Sequence, residues 1–263
     1  MSPRSLAGSL YVLYREAIRS PWICLSALRR REEAGEEDGL PAGARPVLVL
    51  GGFLSHPYYY APLGRILTRR GYAVHFDDVF NAQPFKTHIA SLTRRVDAIV
   101  EASGMPLCIV GHSLGGIHAM ALVLERPDAV EQVVAVAAPV RGGTPWSPLQ
   151  RLVERVLQVR ARDTRVLGRR IAPYAARITT ISSPQDLIAP PAACAVNGAI
   201  NVVLKSPSGG EWPLASHGGV IFMRSAVRVV LRSLAGSLTS CAPGQPGRTD
   251  TPLARPAPLP LAV

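Results

Sequence analysis

The sequence lacks the features that identify metal-binding, redox-active and membrane-spanning proteins. Its four cysteines show neither the close spacing of a metal site nor that of a redox motif. No run reaches the roughly 18 apolar residues that a membrane span requires. Hydrophobic residues make up 48% of the 263 positions, which is enough for a large core without disulfides or metals. These observations favour one large domain with short additions.

Acidic residues are also scarce, with 18 Asp and Glu against 29 Lys and Arg, which gives a formal net charge of +11. Such a balance can indicate nucleic acid or an anionic membrane surface as a partner. The arginines, however, are scattered among alanines and prolines, and no basic run alternates with aromatic residues. We therefore expect no nucleic-acid partner.

The cysteines are Cys24, Cys108, Cys194 and Cys241. Cys108 lies in an apolar run that is typical of a buried strand, where a free thiol behaves as a small hydrophobic residue. A disulfide between Cys194 and Cys241 is left open by the sequence, and nothing in the chain requires it.

Both ends of the chain differ in composition from its centre. Residues 6–31, LAGSLYVLYREAIRSPWICLSALRRR, contain charges within their apolar stretches and do not resemble a secretory signal, so a cytoplasmic protein is expected. They form either an amphipathic helix on a membrane surface or a helix packed on its own domain. We assign 1–45 to this segment and a charged linker (31–46), and 237–263 to a disordered Pro-rich tail.

The central region, 46–236, alternates β-rich runs with helical patterns. Helices are predicted at 61–71, 86–104 and 114–125; in the second of these, one apolar face contains Ile89, Leu92, Val96 and Ile99. The runs with strand character are PVLVLGG (46–52), YAVHFDDV (72–79), PLCIVG (106–111), VEQVVAVAAP (130–139), RITTISS (177–183) and, as a further candidate, INVVLKS (200–206). This alternation predicts an α/β fold whose mostly parallel central sheet has helices on both faces, with functional groups at the carboxyl ends of its strands.

One such strand end carries the motif Gly111-His112-Ser113-Leu114-Gly115, which fits the pattern G-x-S-x-G. Between an apolar strand and a helix, this pattern predicts a sharp turn that exposes the serine hydroxyl, with glycines where side chains would clash. A serine hydroxyl becomes a good nucleophile only beside a base, and that base needs an orienting acid.

Residues 46–235 resemble the α/β-hydrolases, in particular the bacterial lipases and esterases. The resemblance rests on LVLGGFLSH, VGHSLGG, AAPVRGGTP, SSPQDLIAPP and ASHGGVIF. In that family the catalytic residues follow the chain order Ser, then Asp or Glu, then His. The resemblance implies an α/β-hydrolase fold with a short helical cap, and it implies no cofactor.

The resemblance assigns Ser113 as the nucleophile, Asp186 as the acid and His217 as the base. Asp186 follows the strand RITTISS within a turn, which leaves open that it only caps that turn. His217 is the only histidine after Asp186, so the family order leaves one candidate. We expect His112 to shape the turn at the serine and His118 to pack.

Backbone N–H groups should stabilise the oxyanion of such a reaction, and we assign these to Leu114 and Phe53. Here Gly51-Gly52-Phe53 replaces the His-Gly-x of many family members. The motif HPYYYAPL follows, and Tyr58, Tyr59 and Tyr60 either line an acyl pocket or cover the next helix.

A cap insertion is predicted at about 145–176, where the family carries its lid. An apolar helix stripe lies there, with an arginine-rich opposite face; the stripe comprises Leu149, Leu152, Val153, Val156 and Leu157. It suits either a lid that moves at a lipid surface or an ordinary helix packed on the core.

The sequence therefore predicts a serine hydrolase that cleaves hydrophobic or lipid-like carboxylic esters through an acyl-enzyme on Ser113, with peripheral membrane contact left open. An acyltransferase or a thioesterase would use the same three residues. A non-catalytic relative that binds a ligand is the alternative from a different class.

Overall fold

The computed structural model describes residues 45–53, 55–77, 83–142, 154–158, 160–205 and 216–236. Six parallel strands form one sheet in the order β2-β1-β3-β4-β5-β6. The strands are β1 (Pro46–Leu50), β2 (Ala73–Phe76), β3 (Leu107–His112), β4 (Val130–Val136), β5 (Ile178–Ser182) and β6 (Ile200–Val203).

The helices of the described chain lie between these strands and after the last one. They are α1 (Ala61–Arg69), α2 (Phe85–Ser103), α3 (Leu114–Glu125), α4 (Ala161–Arg170), the single turn α5 (Pro191–Cys194) and α6 (Arg224–Leu234). Three 3₁₀ turns, Pro57–Tyr60, Ala172–Arg177 and Val220–Phe222, join them. All six predicted strands and the three predicted helices are confirmed, with ends that differ by a few residues.

Both faces of the sheet are covered, as the unbroken apolar runs of its central strands require. In β1, Val47 and Val49 pack in one cluster with residues of α1 and α6. Leu48 and Leu50 point the other way and pack with α2, α3 and α4. The alternation follows from the two-residue period of a strand. The predicted layout, a parallel sheet with helices on both faces, is confirmed.

Helix α2 shows how local sequence determines one of these layers. The predicted apolar face, Ile89, Leu92, Val96 and Ile99, is buried against the sheet. The helix ends at Gly104, whose φ of 69° lies in the left-handed region. A glycine adopts this conformation without the steric penalty of a Cβ, so the predicted glycine stop is confirmed.

Several predictions fall partly or wholly outside the described residues. These are the N-terminal segment, the Pro-rich tail, Cys24, Cys241, and the stripe residues Leu149, Leu152 and Val153. Of the predicted cap, Leu157 and Leu167 are buried in the core cluster beside α3. The cap itself stays a prediction. In the described ranges, no helix has the length and apolarity needed to cross a membrane.

The contact between β1 and α3 yields a test of the fold. A Cβ added to Gly115 would lie 2.3 Å from the carbonyl oxygen of Leu50, which is backbone and cannot turn aside. We expect Gly115→Ala to lower the free energy of unfolding by at least about 3 kcal/mol, at the upper end of overpacking effects. Urea denaturation measures this loss.

The matched control is Gly104→Ala, where the added Cβ meets nothing within 4 Å and only the left-handed backbone is strained. That variant should lose about 1 kcal/mol. Equal losses in the two variants would contradict the close approach of β1 to α3.

Candidate active site

Ser113 lies at the junction of β3 and α3, where the chain reverses from strand to helix. Its backbone adopts φ 54° and ψ −118°, which is rare for a residue with a side chain. The turn is tight: a Cβ on Gly111 would lie only 2.5 Å from the carbonyl oxygen of Gly115. The Ser113 N–H donates to the carbonyl of Val136 at 2.8 Å, which ties the turn to β4. The predicted sharp turn is therefore present.

The structure brings together the three residues that the sequence places far apart. The Ser113 Oγ atom lies 2.8 Å from His217 Nε2, and His217 Nδ1 lies 2.8 Å from Asp186 Oδ2. Asp186 is buried, whereas the side chain of His217 retains 12% exposure and Ser113 is partly exposed. The order from buried acid to accessible hydroxyl is the one that activates a serine.

The electrostatics of Asp186 determine which nitrogen of His217 carries the proton. Burial acts to raise the pKa of the Asp186 carboxyl, but the charge and hydrogen bond of His217 and the backbone N–H groups of Ile188 and Ala189 outweigh it, so the pKa lies below its ordinary value. Asp186 is thus a carboxylate at neutral pH and can only accept. His217 Nδ1–H donates to it, so in the neutral ring Nε2 is the nitrogen that can accept the proton of Ser113.

Local turns hold both partners of the serine. The Asp186 Oδ1 atom accepts the N–H groups of Ile188 at 2.9 Å and Ala189 at 2.8 Å. Asp186 therefore caps its turn and contacts His217 at the same time, and its role as the catalytic acid stays a prediction. His217 is followed by the 3₁₀ turn Val220–Phe222, in which the Val220 N–H donates to the Ser216 carbonyl at 3.0 Å.

The loop after β1 lies directly against the turn at Ser113. A Cβ on Gly52 would lie 3.3 Å from the Ser113 Cβ and 3.2 Å from His112 Nδ1, so any other residue would require these neighbours to shift by a few tenths of an ångström. Phe53 follows and packs against the core as a partly buried residue. Leu114 opens α3, and the first N–H groups of a helix have no partner within that helix. The oxyanion-binding roles of Phe53 and Leu114 stay predictions.

The three tyrosines occupy different environments. Tyr58 is 83% exposed and stacks on His56, whereas Tyr60 is only 1% exposed. The Tyr59 hydroxyl donates to the carbonyl of Gly218 at 2.7 Å. Tyr60 therefore packs inside the fold rather than facing solvent. Substrate contact by this group of residues stays a prediction.

His112 has a polar environment that the sequence did not indicate. It is buried, and its Nε2 lies 2.8 Å from the carbonyl oxygen of His217. Its Nδ1 lies 2.9 Å from the Tyr60 hydroxyl. Burial, together with neighbouring His217, lowers the pKa of His112 to about 4, so the ring is neutral at neutral pH. The only sequence signal was a polar residue at the end of a wholly buried strand.

The other two buried histidines of the described residues, His88 and His118, lie in helices α2 and α3. His118 packs in α3 against the rings of Phe85 and His88, as expected, and burial with His88 nearby lowers its pKa well below the ordinary value. His88 Nε2 lies 2.8 Å from Asp77 Oδ2. Within the described residues, no group of three His, Cys, Asp or Glu side chains is arranged to hold a metal ion.

Comparison with known families agrees with this geometry. Residues 43–189, more than half of the chain, match the family model described as serine aminopeptidase, S33. The protein belongs to this family of α/β-hydrolases.

A curated relative and several solved structures are similar to parts of the chain. The sn-1-specific diacylglycerol lipase ABHD11 of Mus musculus is 51% identical over 43 residues, which are 16% of this chain and only 14% of the relative's length. A Paleococcus ferrophilus monoacylglycerol lipase matches with a TM-score of 0.51 and 17% identity, over 74% of this chain and 96% of the other. Bacillus licheniformis lipase BlEst2 in mature form matches with a TM-score of 0.56 and 13% identity, over 73% and 94%. At these identities the solved structures establish the fold.

The buried, neutral state of His112 predicts how stability depends on pH. In the unfolded chain the His112 imidazole binds a proton as the pH falls below 6.5, its ordinary pKa. In the folded protein its pKa is about 4, so it binds the proton only near that pH. The stabilisation is therefore complete above about pH 6.5 and is lost as the pH falls toward about 4. Between about pH 7.5 and about pH 5, the parent should lose about 2 kcal/mol more free energy of unfolding than His112→Gln.

Urea denaturation at the two pH values measures this difference. His118 is present in both proteins, so its own titration cancels in the comparison. Parallel pH dependences of the parent and His112→Gln would contradict a neutral, buried imidazole at this position.

Proposed function

We propose that this protein is a serine hydrolase that cleaves carboxylic esters through an acyl-enzyme on Ser113. The observation that carries the proposal is the 2.8 Å contact between the Ser113 hydroxyl and His217 Nε2, with Asp186 on the other nitrogen of the ring. This arrangement supplies the nucleophile, the base and the orienting acid of acyl transfer.

In the acylation step, His217 Nε2 takes the proton of Ser113 while Oγ bonds to the ester carbonyl carbon. The carbonyl oxygen becomes an oxyanion, which the N–H groups of Leu114 and Phe53 bind in this proposal. His217 then gives its proton to the alcohol oxygen, and the bond from carbonyl carbon to alcohol oxygen breaks. Asp186 stabilises the imidazolium that forms in between.

In the deacylation step, water takes the place of the alcohol. His217 removes a proton from the water, whose oxygen bonds to the acyl carbon of the ester on Ser113. The second oxyanion collapses, the proton returns to Ser113 Oγ, and the carboxylic acid leaves. The 12% exposure of the His217 side chain supports this step, because water must reach Nε2 for the cycle to close.

Similarity to lipases supports a hydrophobic or lipid-like ester as the substrate. The short match is to a diacylglycerol lipase, and the structural matches include a monoacylglycerol lipase. The family name instead describes an aminopeptidase, whose amide substrates the same three residues would cleave. A thioesterase or an acyltransferase would also share them. The experiments below therefore include amide and thioester substrates as well as acceptors other than water.

Ser113→Ala should abolish hydrolysis of p-nitrophenyl esters, with a loss of at least about 10³-fold in kcat, because the nucleophile is removed. A series of acyl chain lengths, an amino-acid p-nitroanilide and an acyl thioester, each with and without an added alcohol, will identify the substrate class. A fluorophosphonate probe should label the parent at Ser113.

The fold of Ser113→Ala is checked by its unfolding transition, which should stay close to that of the parent because Ser113 is partly exposed. A folded alanine variant that hydrolyses the ester at the parental rate would refute the proposed site. A parent that neither hydrolyses any of these substrates nor accepts the probe would favour a non-catalytic binding protein.

Asp186→Asn provides a second test, which addresses the base. The amide NH₂ can donate to His217 Nδ1, which moves the imidazole proton to Nε2 and removes the acceptor for Ser113. We expect kcat to fall by about 10⁴-fold, as such a change of tautomer does in other serine hydrolases. Stopped-flow hydrolysis measures the loss. An unchanged kcat would show that Asp186 only caps its turn.

A further inference from the structure

Three side chains outside the proposed reaction connect the loop that carries His217 to the rest of the site. Tyr59 and Tyr60 are consecutive residues of the turn Pro57–Tyr60, and His112 ends β3. Tyr59 donates to the carbonyl of Gly218, and His112 contacts the carbonyl of His217. Two consecutive carbonyls of the His217 loop are thus each bound by a side chain from another part of the chain.

The proton positions in this network follow from the chemistry of its ends. The carbonyl of His217 can only accept, so the 2.8 Å contact requires the proton of His112 to be on Nε2. In a neutral ring Nδ1 is then an acceptor, and the Tyr60 hydroxyl is the donor that lies within reach of it, at 2.9 Å. The same hydroxyl also lies 3.1 Å from Ser55 Oγ, so the proposed chain requires its one proton to be on the shorter contact, to His112. The backbone N–H of Gly52 donates in turn to the Tyr60 oxygen at 2.8 Å.

The result is a hydrogen-bond chain with one direction. It starts at the Gly52 N–H, passes through Tyr60 and His112, and ends at the carbonyl of His217. Its first member belongs to the loop that lies against Ser113 and its last member is the backbone of His217. Aligned hydrogen bonds of this kind polarise and strengthen one another when they are buried, as Tyr60 and His112 are.

We propose that Tyr59, Tyr60 and His112 form a clamp that positions His217 against Ser113 and orients the Gly52–Phe53 backbone toward the site. The inference rests on the proposed function, because it concerns the same reaction. The three residues are positioning residues, since they act through His217 and Gly52. This assigns a use to the tyrosine pair that differs from lining an acyl pocket.

The test compares kcat and KM in variants that remove one polar side-chain group at a time. Tyr60→Phe keeps the ring and removes both the donor to His112 and the acceptor for Gly52. We expect kcat to fall about tenfold, which corresponds to about the net contribution of one buried hydrogen bond. KM should stay unchanged within about twofold, because Tyr60 is only 1% exposed. Tyr59→Phe should likewise lower kcat and leave KM nearly unchanged.

The matched control is Tyr72→Phe. Tyr72 is also buried, but it precedes β2 at the opposite end of the sheet from Ser113. Loss of the Tyr72 hydroxyl should leave kcat unchanged. His112→Leu should lose kcat as Tyr60→Phe does, and His112→Gln should recover most of it, since its amide can donate to the His217 carbonyl and accept from Tyr60.

A double variant distinguishes a connected chain from two separate packing effects. Tyr60→Phe combined with His112→Leu should lose little more kcat than either single change, because each already interrupts the same chain. Thermal unfolding of every variant separates loss of activity from loss of fold. Folded Tyr60→Phe and His112→Leu proteins with parental kcat overturn the clamp, as do losses that simply multiply or that Tyr72→Phe reproduces.

Nuclear magnetic resonance of the imidazole nitrogens tests the clamp without any substrate. In the full-length parent, His112 should be the Nε2–H tautomer near neutral pH, and a proton on Nδ1 overturns the proposal. This measurement decides the matter even if the variants do not fold. It also separates the two proposals, because a parent without esterase activity refutes the function while the tautomer still tests the clamp.

Discussion

The left-handed backbone of Ser113 is the constraint on which the rest of the site depends. A residue with a side chain adopts this conformation only where its surroundings leave no alternative. Here the surroundings are glycines: Gly111 and Gly115 let strand, turn and helix touch, and Gly115 also lets the end of β1 approach α3. That approach brings Gly52 against the serine. The same lack of side chains therefore presents the hydroxyl and places a backbone loop beside it.

The parallel sheet brings distant parts of the sequence to this turn. Strand β3 carries Ser113 at its carboxyl end, and β5 leads to Asp186 two strands away in the sheet. His217 arrives from beyond β6, and its position is fixed by polar contacts: Asp186 at the ring, and His112 with Tyr59 at the backbone. The geometry of the site thus depends on apolar packing for Ser113 and on a small number of directed hydrogen bonds for His217.

Much of this could be predicted from the sequence, and the physical reason differs by element. Buried parallel strands appear in the sequence as unbroken apolar runs, and helix α2 appears as a periodic apolar face followed by Gly104. The positions of these elements could therefore be predicted. The order of catalytic residues in the family that the chain resembles singled out His217. The contact between Tyr60 and His112 could not be predicted in this way. It joins residues 52 positions apart and produces neither a helical nor a strand periodicity in the sequence. Three adjacent tyrosines look alike in sequence, and only burial separates them.

Helix α3 has a consequence for how the site moves. Every residue from Leu114 to Leu124 is buried, so the helix that follows the serine has no surface of its own until its last residue. Amide hydrogens in such a core element exchange with solvent only through opening of the whole domain, whereas surface loops open separately at low free-energy cost. Ser113 is therefore joined to an element whose amides we expect to exchange slowly. In the proposed reaction the Ser113 hydroxyl therefore keeps its place, and adjustment to a bulky substrate falls to surface loops other than the clamped loop of His217.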